Sequence, residues 1–143
     1  MSWKPVDDLT VSDAGFEAEG ASLAELCRSA VDATLAVMVG DPSRLRPRRS
    51  APVRLDSADP AGVVFDLLQE VIFRKDAEGL FLRLADAEVS ERDRRITLTG
   101  TLLGEAFDRR RHWAGTDVKA VTLHRFEVLE RDGLWRATVV LDV

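Results

Sequence analysis

The chain has 143 residues, 45% of them hydrophobic and 31% charged, a composition far from that of disorder and a length suited to one domain with a sizeable core. A formal net charge of −5 excludes nucleic-acid binding through broad neutralisation of phosphates and leaves only local or partner-mediated contact. The single cysteine, Cys27, excludes an internal disulfide and a cysteine-based zinc site. With no signal-like leader in "MSWKPVDDL" and no apolar run of about 18 residues, the expectation is a cytoplasmic protein that does not enter a membrane.

Residues 1–11 are polar and read as a loose lead-in, with the folded part starting at about residue 12. "AGFEAEG" alternates and predicts a short strand over 14–20. Ser22 followed by Glu25 is a capping box that opens a helix. Leu23, Leu26, Ala30, Ala33, Val37 and Met38 share one face of that helix, and Gly40 with Pro42 ends it. A connector over 43–58 holds a short strand around 53–55. Asp59 and Pro60 form an N-cap and N1 pair that launches a second helix. Its apolar stripe, Ala61, Val64, Phe65, Leu68, Val71 and Ile72 widened by Val63 and Leu67, predicts the more buried of the two helices.

From Gly79 the period changes to two. Strands over 80–89 and 94–102 are joined by the charged turn "SERDR", and in the second Ile96, Leu98, Gly100 and Leu102 face opposite to Thr97, Thr99 and Thr101. The stretch 104–117, "GEAFDRRRHWAGTD", reads as a loop.

The chain closes on a hairpin whose arms meet at Asp132-Gly133, the strongest short turn signal. A two-residue turn there pairs Arg131 with Leu134, Phe126 with Val139 and Leu123 with Asp142. His124, Phe126, Val128, Trp135, Ala137, Val139 and Leu141 then face the core, and Arg125, Glu127, Arg136, Thr138 and Asp142 face outward. The order of elements predicts a single α+β domain, two helices packed on a mostly antiparallel sheet.

The last strand ends on "RATVVLDV", where the Asp142 carboxylate meets the terminal carboxylate of Val143. Adjacent carboxylates repel unless water or a cation separates them, and hard cations such as Ca²⁺ take oxygens of this kind. Asp13, just before the first predicted strand, is the best candidate for a third acid, because a terminal strand can lie next to that one. A solvated, uncoordinated end is the alternative.

The segments "SDAGF", "FDLLQEVIFRKDAEGLFL", "GEAFDRRRH", "VKAVTLH" and "GLWRATVVLDV" together resemble the archease family, in order and spacing, from about residue 10 to 143. "VKAVTLH" combined with a terminal "LDV" is the specific part. The resemblance implies a metal site, seen with calcium, formed by Asp13, Asp142 and the chain end at Val143. It also implies that the carboxylate pair exists because a cation holds it. The chain departs from the family where His-Thr usually precedes the motif's Asp by two residues: Thr10 and Val11 stand there. The acids remain while an imidazole and a hydroxyl are lost, which bears on ligase activation more than on metal binding.

Lys119 matches a typical archease lysine and is either a functional cation beside the acids or an ion-pair partner. His112 reads as a loop residue, with a ligand or partner contact as the alternative, and His124 as a packed core residue. Glu105 and Asp108 read as turn and capping residues. "SRLRPRRS" and "DRRRH" read plainly as solvated basic surface, and more sharply as docking points for RNA or an acidic partner. Cys27 reads as a small core residue, since nothing local lowers its pKa.

The resemblance implies an accessory protein, not an enzyme: an activator of an RtcB-type RNA ligase that promotes ligase guanylylation and multiple turnover in tRNA splicing and RNA repair, meeting RNA mainly through that partner. The alternative is a chaperone-like partner of an RNA-modifying enzyme such as a tRNA methyltransferase. An independent metal-dependent hydrolase is disfavoured, because the chain carries no nucleophile and base pair, no Gly-rich phosphate loop and no clustered histidines.

Overall fold

The computed structural model describes residues 2–6 and 13–143. The chain runs β1 (Ser2–Val6), β2 (Asp13–Gly20), α1 (Leu23–Val39), a 3-10 turn (Pro42–Arg44), β3 (Arg49–Ser57), α2 (Pro60–Glu78), β4 (Leu80–Arg92), β5 (Arg95–Ala106), β6 (Ala120–Arg131) and β7 (Leu134–Asp142). The strands form two antiparallel sheets, ordered β1-β2-β7-β6 and β3-β5-β4, where sequence reasoning expected one. Residues 2–6, expected to be loose, pair with β2 as an edge strand. Thr10 and Val11 lie outside the described residues.

Both helix starts form as their sequences dictate. Ser22 Oγ accepts from Glu25 N at 3.1 Å, and Glu25 Oε2 accepts from Ala21 N at 2.7 Å, one residue earlier than the capping box predicts. Asp59 Oδ1 accepts from Gly62 N at 2.7 Å with Pro60 opening the helix. The expectation that α2 is the more buried helix is overturned: 11 of the 17 residues of α1 are buried, against six of the 19 in α2. The reason is position. α1 packs against β2 of one sheet, β4 of the other and α2, so it is covered on several sides and a single apolar stripe understates its burial.

The β3 strand is longer than the 53–55 predicted, and β5 continues through Glu105 into the expected loop. On β5 the predicted faces hold: Ile96, Leu98 and Leu102 are buried, while the threonines lie on the half-buried opposite face. Asp93 and Arg94 (φ 51° and 63°) turn the β4–β5 hairpin, and Asp132 and Gly133 (φ 54° and 80°) turn the last one as predicted.

The register of that last hairpin is correct only near its turn. Arg131 pairs with Leu134 and Glu127 with Thr138, but Thr122 then pairs with Val140 and Ala120, not Leu123, with Asp142. Four residues of β6, 123–126, stand against the single Val139, an excess of three, so Phe126 is no longer opposite Val139. An odd insertion exchanges the faces of a strand. Val121 therefore turns inward beside Leu141, and His124, expected in the core, is exposed on the bulge with Leu123 (76% exposed). Arg125 takes the left-handed conformation the bend needs (φ 58°). Phe126 still reaches inward, edge-on to Phe65 of α2 with ring centres 5.5 Å apart.

Candidate functional site

The pairing of β2 with β7 sets Asp13 directly opposite Asp142, at the ends of two neighbouring strands. Residues so paired project to the same face, with Cβ atoms about 5 Å apart. The face is the outer one, because Phe16 and Ala18 on β2 and Val139 and Leu141 on β7 take the inner positions of the alternation. Both aspartates are half-buried. On the other side of β7, Ala120 is opposite Asp142, and Lys119 N donates to the Asp142 carbonyl at 2.8 Å. The Val143 side chain packs against the core and anchors the chain end one residue beyond Asp142.

Like charges directly across a strand pair destabilise it. Three carboxylates, those of Asp13, Asp142 and the chain end, bear six oxygens of the kind a hard cation takes. Thr122 Oγ1, on the outer side of β6 opposite Val140, is buried without a hydrogen-bond partner among the described residues. These features suit a divalent cation. Among the described residues, no group of three or more His, Cys, Asp and Glu side chains is arranged to hold a metal. Lys119 is exposed and its ammonium makes no ion pair with a described residue.

Lys75 positions this region, and sequence reasoning missed it. It lies three residues after Ile72 and four after Val71, on the buried face of α2, a place where a lysine signals a bonded ammonium. Its Nζ donates to the Val118 carbonyl at 2.7 Å and to Asp117 at 2.6 Å, and pairs with Asp76 at 2.5 Å. Burial works to lower the Lys75 pKa, but the Asp117 and Asp76 carboxylates outweigh it and leave it above the ordinary lysine value. Gly115 N and Thr116 N donate to the carbonyls of Met38 and Val37 at 2.9 Å, and Gln69 Oε1 accepts from Val121 N at 3.0 Å. The segment leading to Lys119 is thus fastened to both helices.

A second polar cluster forms around Glu105, which is buried. Its Oε2 accepts from Arg46 N at 2.8 Å, from Arg111 at 2.5 Å and from His112 Nε2 at 3.1 Å. His112 Nδ1 accepts from Asp108 N at 2.9 Å, which assigns the ring proton of the neutral imidazole to Nε2. Burial would raise the Glu105 pKa, but the Arg111 guanidinium and the Arg46 N–H outweigh it and hold it at about 2. Asp108 Oδ1 accepts from Arg110 N at 2.9 Å, the turn role expected of it. Glu105, Asp108 and His112 are therefore structural. Cys27 is fully buried in α1, and burial pushes its thiol up to about 12, out of reach of thiolate chemistry.

Together these features define a small α+β protein of two antiparallel sheets and two helices, with an acidic pair at the ends of adjoining strands. The sequence profile of the Archease protein family matches residues 3–143, and the chain belongs to that family. Protein archease of Methanothermobacter thermautotrophicus is 36% identical over 132 residues, covering 92% of this chain and 93% of the relative. Protein archease of Methanopyrus kandleri is 29% identical over 145 residues and the whole of both chains. The solution structure of protein 1598 from Methanobacterium thermoautotrophicum superposes with a TM-score of 0.83 at 34% identity, over 99% of this chain and 98% of that one. The crystal structure of an archease from Thermotoga maritima, described as a possible chaperone, shares the fold with a TM-score of 0.63 at 18% identity, over 98% and 96% of the two chains.

Proposed function

We propose that this protein is a non-catalytic, metal-binding activator of an RtcB-type RNA ligase that promotes ligase guanylylation and multiple turnover, meeting RNA mainly through that partner. The carrying observation is the pairing of Asp13 with Asp142 beside the chain end, an arrangement that favours a bound cation. Asp13, Asp142 and the Val143 carboxylate hold the ion, and Ca²⁺ is the best match because it accepts carboxylate oxygens in flexible geometry. When bound, the cation supplies charge neutralisation and a Lewis-acidic point for phosphate oxygens. Asp142 is held by the Lys119 N–H, and the exposed Lys119 ammonium offers a second positive contact to the partner or to phosphate. Lys75 keeps that segment in place.

The test is multiple-turnover RNA joining by the cognate ligase with wild type and with Asp142→Ala. Wild type is expected to raise turnover and the variant not to. Equal stimulation by both proteins would overturn the reading.

A second reading, a chaperone-like partner of an RNA-modifying enzyme such as a tRNA methyltransferase, rests on the exposed apolar side chains of the last hairpin, Leu123, Leu129 and Leu134. It predicts that partner solubility is improved equally by wild type and Asp142→Ala.

A further inference from the structure

Two arginine runs, 44–49 and 109–111, stand some 60 residues apart in sequence and meet in the fold. Arg111 donates to the Arg44 carbonyl at 2.6 Å, Arg48 N to the Gly104 carbonyl at 3.0 Å, and Arg46 N to Glu105 at 2.8 Å. Between the runs lies an open cleft of about 710 Å³, walled by Arg46, Arg48, Arg49, Arg109 and Arg110.

The acids along this cleft are engaged in ways that leave those arginines outward. Glu105 is occupied by Arg111, His112 and a backbone N–H, and lies 3.8 Å from Arg48. Glu78 is bonded by Arg74 at 2.7 Å, and Asp108 accepts from the backbone of Arg110. The guanidiniums of Arg46, Arg49, Arg109 and Arg110 are exposed and make no ion pair with a described residue. Their clustering on a chain of net charge −5 is a local reversal of sign. All of them are arginine, whose planar fork matches a phosphate with two parallel hydrogen bonds where a lysine offers a point charge.

Trp113 follows directly on this loop and is 65% exposed. Its ring lies close over Gly40 and Gly115, where an added Cβ would come within 3.2 Å and 2.8 Å of ring carbons, so both positions leave the indole room that a larger residue would take. An exposed aromatic three residues along the chain from Arg110 joins a row of arginines in the combination that holds single strands, the bases stacking and the phosphates pairing. An acidic protein surface would use the arginines but gives the indole no role.

We infer that this cleft binds the phosphodiester backbone of a single-stranded nucleic acid, with Arg46, Arg49, Arg109 and Arg110 on phosphates and Trp113 stacked on a base. None of these residues belongs to the acidic pair, so this site stands or falls independently of the metal reading.

Fluorescence anisotropy of a short labelled oligouridine and its DNA counterpart tests it, using the intact protein between about 50 and 200 mM salt. Four arginine contacts predict a log–log salt slope of about −3. Arg46→Glu with Arg49→Glu, and Arg109→Glu with Arg110→Glu, are each expected to weaken binding at least about tenfold, and Trp113→Ala about fivefold or more. Reversal of Arg92 and Arg94, in the β4–β5 turn, is the control and leaves binding unchanged. Tighter RNA than DNA binding supports the inference and names RNA as the ligand; equal affinity supports it for the shared backbone. Absence of binding at about 100 µM protein overturns it. So does loss by the control variant equal to that of the cleft variants, or competition by polyglutamate as effective as by unlabelled oligonucleotide, the last assigning the cleft to an acidic protein. Because all the substituted side chains lie on the surface, an unchanged melting temperature confirms that folding is not the cause.

Discussion

Glu105 and Asp142 are both acids drawn partly out of water, yet the chain treats them in opposite ways. Glu105 is met by Arg111, His112 and a backbone N–H, all supplied within the fold. Asp142 is met across the strand by another aspartate and from behind by an N–H aimed at its backbone carbonyl. A carboxylate whose partners are all internal is a fastening. One whose nearest neighbour across the sheet is a second carboxylate faces a like charge, which is what motivates the cation proposed there. The comparison explains why Glu105, in the more strongly bonded cluster, is structural, and why the less enclosed pair is the candidate site.

Removing the fastening should have the largest effect. Glu105→Ala leaves Arg111 and His112 without their acceptor and is expected to lower stability by about 3–5 kcal/mol in urea denaturation. A smaller loss would mean the cluster is adaptable and the contrast with Asp142 overstated. Lys75→Met, which frees Val118 and Asp117, is expected to lower stability by about 2 kcal/mol and to weaken Ca²⁺ binding through the loosened segment before Lys119, both measurable on one sample.

The pH dependence sharpens the same contrast. The Glu105 pKa is about 2 in the fold against an ordinary 4.5, so the unfolded chain binds the proton more readily. Its contribution is then fully present above about pH 4.5 and is lost as pH falls toward 2. Stability of wild type to urea should therefore fall across that window as pH is lowered, and Glu105→Gln should flatten its part of the slope. The smallest effect is expected at the acid pair itself. Without metal, Asp142→Asn relieves a like-charge contact and should leave stability unchanged or raise it by up to about 1 kcal/mol in the same urea assay.

Much of this was legible in the residues. The caps at Ser22 and Asp59, the turn at Asp132-Gly133 and the alternation of β5 are local rules, and local rules were obeyed. The neighbourhood of Asp13 and Asp142 was inferred from the habit of terminal strands and is realised as a direct pair. The bulge at 123–126 was not legible, because no glycine or proline marks it and an arginine, Arg125, takes the left-handed bend. That hidden excess of three residues is why His124 lies in solvent and why Ala120 faces Asp142. Lys75 was hidden because two of its partners, Asp117 and Val118, come from a segment more than 40 residues away. The meeting of the two arginine runs was hidden for a related reason, since it depends on Glu105, a residue that reads in sequence as one more loop acid.

The most direct measurement is calorimetric titration of Ca²⁺ into the wild-type protein and into Asp142→Asn at neutral pH. Saturable uptake at one site in wild type, lost in the variant while both remain folded, is the predicted result. Equal uptake by both proteins, or none by wild type, would contradict a cation site at the ends of β2 and β7.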